Sequence, residues 1–375
     1  MKKTVVDLFS GCGGLSLGME QAGFEVVFAN DINPTCAETF INNIKIAKER
    51  FFIGDINKLI GEYPKYKEYF VDVDLVSGGP PCQGFSMANR QRIIDDPRNT
   101  LYKAYLKFLR LITPKFFIME NVKGMAKKID EIIEDFDVAL KGEYNIESNI
   151  LNARDFGIPQ NRERFFIIGN RVGVDSKAIF RDICKNKGKN KAFVLKDAIS
   201  DLPPLGVNKI RNNNSLENNE VGFYKTEHAY EKTDFYKFIN DNREISFLYN
   251  HKNRYNNDRD IKIFTLLPQG ENSLHHSIAD IMPYKSRNHI FKDKYFKLRY
   301  NDVCKTITSH MKFDCNMYIH PIQSRGLSPR EAARVQTFPD DYIFMGPQNS
   351  WYLQIGNAVP VKLAQIIGGE IIKWL

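Results

Sequence analysis

The sequence predicts an α/β protein: a mostly parallel sheet covered by helices on both faces, with a smaller, loop-rich domain inserted before the C-terminal end. Three observations carry this. Short apolar runs alternate with amphipathic stretches through about residue 173, the β-α-β-α order of a parallel sheet. From about 174 the texture changes to asparagine, lysine and tyrosine with weak periodicity, including Asn212-Asn213-Asn214 and Tyr255-Asn256-Asn257. Regular patterning then returns after Arg325 and ends in an apolar helix from Val361 to Leu375.

In chain order, the strand candidates are Thr4–Phe9, Glu25–Asn30, Phe51–Ile53, Val73–Ser77, Lys115–Met119, Tyr144–Leu151 and Phe165–Gly169. Each is a β-branched or aromatic run of strand length. The helix candidates are Leu15–Ala22, Thr35–Lys48, Leu101–Leu111 and Ile129–Leu140. Ser328-Pro329-Arg330-Glu331 opens a further helix, with Ser at the N-cap, Pro in the first turn and Glu at the third position. The expected domains are 1–173 and 350–375 (sheet domain and its completing helix), 174–325 (basic insert) and 326–349 (connecting segment).

Composition narrows the function. The chain has 375 residues, 43% of them apolar, enough to bury ordinary cores and to exclude a disordered tail. No stretch approaches the roughly 18 to 20 uncharged apolar residues of a membrane helix, and the N-terminus runs straight into a strand instead of a signal sequence. The expectation is a soluble protein in the cytoplasm with no membrane partner. Six cysteines, with no CxxC pair, predict reduced thiols and no metal site.

The net charge of +8 is localised. Residues 174–325 hold 26 Lys and Arg against 18 Asp and Glu, and the remainder of the chain holds 27 of each. A basic segment between neutral ends suits a polyanion, because each lysine or arginine set on a phosphate releases counterions; a solvated lysine-rich surface would look the same.

Four motifs bear chemistry. The first, Asp7-Leu8-Phe9-Ser10-Gly11-Cys12-Gly13-Gly14-Leu15, is a strand, a glycine-rich turn and a helix start, where backbone can approach a ligand. Asp31 and Asp55 follow the next two strands, and an acidic residue after the second strand is placed to bind ribose hydroxyls; each could equally cap a helix. The second, Gly78-Gly79-Pro80-Pro81-Cys82-Gln83-Gly84-Phe85-Ser86, fixes an unusual backbone path and presents one cysteine, read here as a nucleophile. The third, Phe117-Ile118-Met119-Glu120-Asn121-Val122, ends a strand in a carboxylate whose partial desolvation favours its protonated form. In the fourth, Gln160-Asn161-Arg162-Glu163-Arg164-Phe165-Phe166, strand alternation puts Arg162 and Arg164 on one face, where two guanidinium forks could hold a base carbonyl or phosphate.

These motifs, followed by Arg330-Glu331-Ala332-Ala333-Arg334-Val335-Gln336-Thr337-Phe338-Pro339 and Gln354-Ile355-Gly356-Asn357-Ala358-Val359-Pro360, resemble in order and over nearly the whole length the cytosine-C5 DNA methyltransferases of bacterial restriction-modification systems. The resemblance implies an S-adenosylmethionine-dependent, Rossmann-like sheet domain with an inserted target-recognition domain at 174–325. It implies that Phe9, Gly11, Cys12, Gly13, Gly14, Leu15, Asp31, Ile32, Asp55, Ile56, Pro81, Asn357 and Ala358 line the S-adenosylmethionine site. Cys82 would be the nucleophile, Glu120 the carboxyl at the pyrimidine N3 edge and Arg164 the group holding O2, with Arg162 orienting them. The implied partner is double-stranded DNA, with the target cytosine flipped out and Phe85–Asn99, carrying Arg90, Arg92 and Arg98, as a lid.

Candidates for base readout are Arg254, Arg259, Gln269, Asn272, Arg287, Asn288 and Lys312. The resemblance also leads us to expect a monomer, a nucleoid-associated location and a cognate restriction endonuclease acting on the same site without contact. An RNA cytosine methyltransferase and a catalytically silent DNA-binding module are the alternatives. A nicotinamide dehydrogenase is disfavoured, since hydride transfer has no use for the Pro-Pro-Cys turn with Glu120 and the arginines.

Overall fold

The computed structural model describes residues 2–81, 100–211, 215–227, 231–283 and 294–375. They form two compact units: 1–156 with 163–190 and 359–375, and 157–162 with 191–358.

The first unit is built on β1 (Lys3–Leu8), α1 (Gly14–Gln21), β2 (Phe24–Asp31), α2 (Pro34–Asn43), β3 (Phe51–Ile53), α3 (Ile56–Gly61), α4 (Tyr63–Tyr66), β4 (Leu75–Gly78), α5 (Thr100–Ile112), β5 (Phe116–Val122), α6 (Ile129–Leu140), β6 (Asn145–Asn152), β8 (Glu163–Asn170) and α7 (Ser176–Cys184). The two-residue β7 (Gln160–Asn161) lies in the second unit. The sheet order is β3-β2-β1-β4-β5-β8-β6. Strands β1 to β5 are parallel, but β8 runs antiparallel to both neighbours, so the sheet is mixed. The reason is connectivity: only residues 153–162 link β6 to β8, too few for a helical crossover.

The order reverses between β1 and β4, which opens a crevice outside their carboxyl ends. Val5, Val6, Leu8, Val76, Phe117 and Met119 are fully buried, as expected of strands covered on both faces. The C-terminal helix (Val361–Ile371) packs on α1 so closely that a Cβ on Gly18 would lie 2.4 Å from that of Ala364. Asn186, just after α7, donates to Glu370 on the same helix (2.9 Å). That anchorage explains why the first unit extends to Asn190, beyond the boundary expected at 173.

The second unit contains α8 (Leu195–Ile199), β9 (Gly222–Glu227), α9 (Asp234–Asn240), β10 (Phe247–Lys252), α10 (Asp258–Leu266), β11 (Cys304–Lys305), α11 (Pro329–Val335) and α12 (Gln348–Asn357). Strands β9 and β10 form an antiparallel ribbon, and β11 pairs in parallel with β7. A small apolar core joins Ile263, Phe264, Leu267, Ile278, Met282, Tyr295 and Ile319.

Helix α11 is polar yet buried. Ser328 Oγ accepts from Glu331 N (3.2 Å), and Glu331 Oε2 accepts from Ser328 N (2.7 Å), the reciprocal cap its sequence predicts. Arg325 clamps the same carboxylate through two bonds of 2.8 and 2.6 Å. Arg334 is likewise held by Asp340 and Asp201. Pro360 separates α12 from the C-terminal helix, so the stretch from 350 onward divides between the two units.

Candidate active site

The glycine-rich turn follows β1 with Phe9 and Gly11 both at φ 55° and Gly13 at φ 87°, left-handed conformations that glycine adopts without strain. A Cβ on Gly11 would meet nothing within 4 Å, so the turn offers open backbone. Asp31 closes on it: its carboxylate accepts from Gly11 N and Asn33 N, both 2.8 Å. Burial raises the Asp31 carboxyl above its ordinary range, and the two backbone donors oppose the shift. The neighbouring Ile32 is 70% exposed.

Asp55 is exposed and caps α3, accepting from Asn57 N at 2.7 Å. Cys12, Leu15 and Ile56 are buried in the core; burial pushes the Cys12 thiol well up. Phe9 is half-buried against the core under β1.

Two further buried polar residues, Asp7 and Asn30, shape this end of the sheet. Asp7, inside the apolar run Val5-Val6-Asp7-Leu8, is 1% exposed and accepts from Ser77 Oγ (2.7 Å) and from Ser16 Oγ. Burial outweighs the two hydroxyl donors and lifts its carboxyl to about 6. It therefore ties the start of α1 to the end of β4. Asn30, beside Asp31, is equally buried. For Asp7 the available signal was a polar residue inside an apolar strand; Asn30, next to Asp31 at the end of β2, had none as clear.

At the end of β4 the chain turns through Gly78, Gly79, Pro80 and Pro81. Pro80 is buried and Pro81 exposed. Pro80 O accepts from Asn121 Nδ2 (2.9 Å), and a Cβ on Gly79 would lie 3.2 Å from Glu120 Oε2. Any larger residue at 79 would press the carboxylate back by a few tenths of an ångström. Cys82 and the stretch 85–99 with Arg90, Arg92 and Arg98 lie outside the described residues, as do Arg287 and Asn288.

Glu120 pairs with Arg164, Oε1 to Nε, at 3.0 Å, with side chains 15% and 16% exposed. The ladder explains the contact: Arg164 stands opposite Val122, and Val122 shares its face of the sheet with Glu120 two residues back. Arg164 also donates to Glu163 O (2.8 Å).

Arg162 does not join this pair. The strand breaks between β7 and β8, so alternation does not put the two arginines on one face. Arg162 is 1% exposed and donates to Ile307 O (2.5 Å), Ala358 O (2.9 Å) and Gly356 O (3.2 Å) within the second unit. Gln160 completes the brace, donating to Gln336 Oε1 (2.8 Å) and accepting from Ile307 N (2.8 Å). Asn357 and Ala358 also belong to the second unit, at the end of α12.

Several readout candidates are occupied by their own fold. Arg254 donates to Met311 O and Phe313 O, Arg259 pairs with Asp260, Gln269 accepts from Tyr300 N and Asn272 from Leu274 N. Lys312 lies over the ring of Phe313. Among the described residues, no cluster of His, Cys, Asp or Glu could hold a metal ion, and no helix is long and apolar enough to cross a membrane.

The fold is that of DNA methyltransferases. A protein described as a DNA modification methyltransferase encoded within an E. coli prophage superposes with a TM-score of 0.74 at 26% identity, covering 99% of each chain. The Dnmt2 methyltransferase of S. pombe shares the fold at a TM-score of 0.57 and 17% identity, over 100% of this chain and 99% of that one. The model of the C-5 cytosine-specific DNA methylase family matches residues 3–373, and the chain belongs to that family. Type II methyltransferase M1.HphI of Haemophilus parahaemolyticus is 32% identical over 100% of this chain and 87% of its own length. M.MthTI of Methanothermobacter thermautotrophicus is 34% identical over 100% and 98%. The protein is a DNA cytosine-5 methyltransferase of the restriction-modification type.

Proposed function

We propose that this enzyme methylates C5 of a flipped-out cytosine in a specific duplex sequence through a covalent bond between Cys82 and C6. The observation that carries the reading is the Glu120–Arg164 pair, set against the Gly79 backbone three residues before Cys82. Cytosine C5 is too weak a nucleophile to take a methyl group unaided. Addition of the Cys82 thiolate at C6 makes the ring an enamine with electron density on C5. A proton donated by the Glu120 carboxyl offsets the negative charge developing at N3 and Arg164 that at O2, in a site where few water molecules compete. C5 then takes the methyl group; its proton leaves to a base, and Cys82 is expelled as aromaticity returns.

The methyl donor fits the first unit. The open backbone of Gly11, the half-buried Asp31 carboxylate and the exposed Ile32 suit an adenosine with free ribose hydroxyls. S-adenosylmethionine would supply an electrophilic sulfonium methyl there. Asp31 holds the ribose, Asp55 and Ile56 flank the adenine, and the turn from Phe9 to Leu15, with Pro81, surrounds the remainder. The basic stretch 174–325 provides phosphate contacts and base readout.

Transfer of labelled methyl groups from S-adenosylmethionine to duplex DNA and to tRNA tests the reading, with bisulfite sequencing to find the site. The expected result is label in DNA alone, on one cytosine of a short motif. Label in tRNA instead, or none with S-adenosylmethionine, overturns it.

A further inference from the structure

We propose that Asn30 is the positioning residue that sets the spacing of the cofactor-binding carboxylates Asp31 and Asp55. The inference rests on the assignment of that pocket to S-adenosylmethionine and concerns a residue that touches no ligand in it.

Asn30 is the penultimate residue of β2 and is 1% exposed, so its side chain is shielded from bulk solvent. Both available hydrogens of its amide are used: Nδ2 donates to Phe52 O and to Gly54 O, each at 2.9 Å. Its own carbonyl accepts from Ser10 N (3.0 Å) and from Ser10 Oγ (3.3 Å). Gly54 N donates in turn to Asp31 O (3.0 Å).

One residue thus joins the ends of three strands. The β2–β3 ladder pairs Asp31 with Ile53 and stops there. Beyond that point Gly54 is held by two bonds, its N–H to Asp31 O and its carbonyl from the Asn30 amide, and Asp55 follows directly. On the other side Ser10 precedes Gly11, whose N–H the Asp31 carboxylate accepts. The Ser10 bonds need only the backbone carbonyl of residue 30, so it is the side chain, through Phe52 O and Gly54 O, that fixes the end of β3 and Asp55 relative to Asp31 and the glycine turn.

The choice of amide follows from the partners. Phe52 O and Gly54 O are part-buried, and a carbonyl oxygen that loses its donor there is destabilising. An aspartate of the same shape would face them with a like partial charge. Alanine would leave both without a donor, and serine could satisfy one.

The test compares wild type with Asn30→Ala and Asn30→Ser by calorimetric titration of S-adenosylhomocysteine and by kinetics on duplex DNA. The account expects affinity for S-adenosylhomocysteine to fall about tenfold in Asn30→Ala, a loss of about 1.4 kcal/mol, and less in Asn30→Ser. The KM for S-adenosylmethionine should rise in parallel, with kcat at saturation and the KM for DNA within about twofold. A general structural defect would instead lower kcat and the amount of active enzyme together. Should Asn30→Ala not fold, Asn30→Ser carries the same test.

Unchanged affinity in folded variants, or an equal loss in kcat and DNA binding, overturns the inference. Failure of the wild type to bind S-adenosylhomocysteine would overturn the cofactor assignment itself, a separate result.

Discussion

Arg164 Nε lies 3.0 Å from a carboxylate oxygen of Glu120, and antiparallel neighbours in one sheet deliver the two side chains. A carboxyl and a guanidinium held by the rigid part of the fold cost little to organise when charge develops on a bound base. Glu120→Gln and Arg164→Ala should each lower kcat by about 10²–10³, the usual effect of removing one such electrostatic partner. Binding of S-adenosylhomocysteine should be unchanged. Steady-state kinetics with calorimetric titration checks this, and a variant that loses cofactor binding instead would place the pair elsewhere in the mechanism.

Asp31 joins two jobs, bonding the Gly11 amide and presenting a carboxylate beside the exposed Ile32. Asp31→Ala should weaken S-adenosylmethionine binding by about 10- to 100-fold, the equivalent of one or two polar contacts. The KM for DNA should stay within about twofold. Equilibrium binding of each substrate separates the two effects.

Much of this was legible in the chain. The seven strands predicted all form; the central ones are buried on both faces and read as nearly unbroken hydrophobic stretches, whereas β3 and β6 at the sheet edges are only partly buried. The reciprocal Ser328–Glu331 cap forms as four residues predict. The reversed direction of β8 was not legible, since it depends on the short link after β6, whose length hides among residues 153–162. Arg162 was misread for a related reason: alternation assumes one continuous strand, and the break after Asn161 hands its guanidinium to three carbonyls of the second unit. Asp7 and Asn30 escaped notice because their partners lie 9 to 70 and 20 to 24 residues away.

Asp7 carries a cost that depends on pH. Its carboxyl titrates near 6 in the fold against 3.8 ordinarily, so between those values the folded chain binds more protons than the unfolded one. Stability from this group therefore falls as pH rises through that window, by roughly 3 kcal/mol at neutrality. Asp7→Asn, which keeps the shape without the charge, should be more stable than wild type at pH 8 in urea denaturation, with a much smaller gain at pH 4.5. A gain independent of pH would contradict the assignment.

The second unit should respond in the opposite direction. Burial alone would raise the Glu331 carboxyl, but Arg325 outweighs it and holds the group well below the carboxylate range. Burial pushes His251 down to about 4 and His320 to about 3. These groups resist protonation when folded and accept it when unfolded. Their stabilisation is fully present above about pH 6.5 and is lost as pH falls, first through the histidines and then through Glu331. Glu331→Gln leaves Arg325 buried without a counter-charge and should cost about 3–5 kcal/mol. Urea midpoints of both proteins at pH 5 and 7.5 check this: wild type should lose stability at pH 5 through the histidines, and the variant, in which Glu331 no longer opposes the downward shift of His251 and His320, should lose at least as much from its lower starting point.

The central claim is a bond between Cys82 and the target base, and trapping measures it directly. Duplex DNA with 5-fluorocytosine at the methylated position should yield, with S-adenosylmethionine, a complex that survives denaturing electrophoresis, because fluorine on C5 cannot leave as a proton does. Peptide mass spectrometry should map the linkage to Cys82, and Cys82→Ala should form none while still binding DNA and cofactor. Absence of any adduct from enzyme that methylates the unfluorinated duplex, or turnover by Cys82→Ala, would contradict the account.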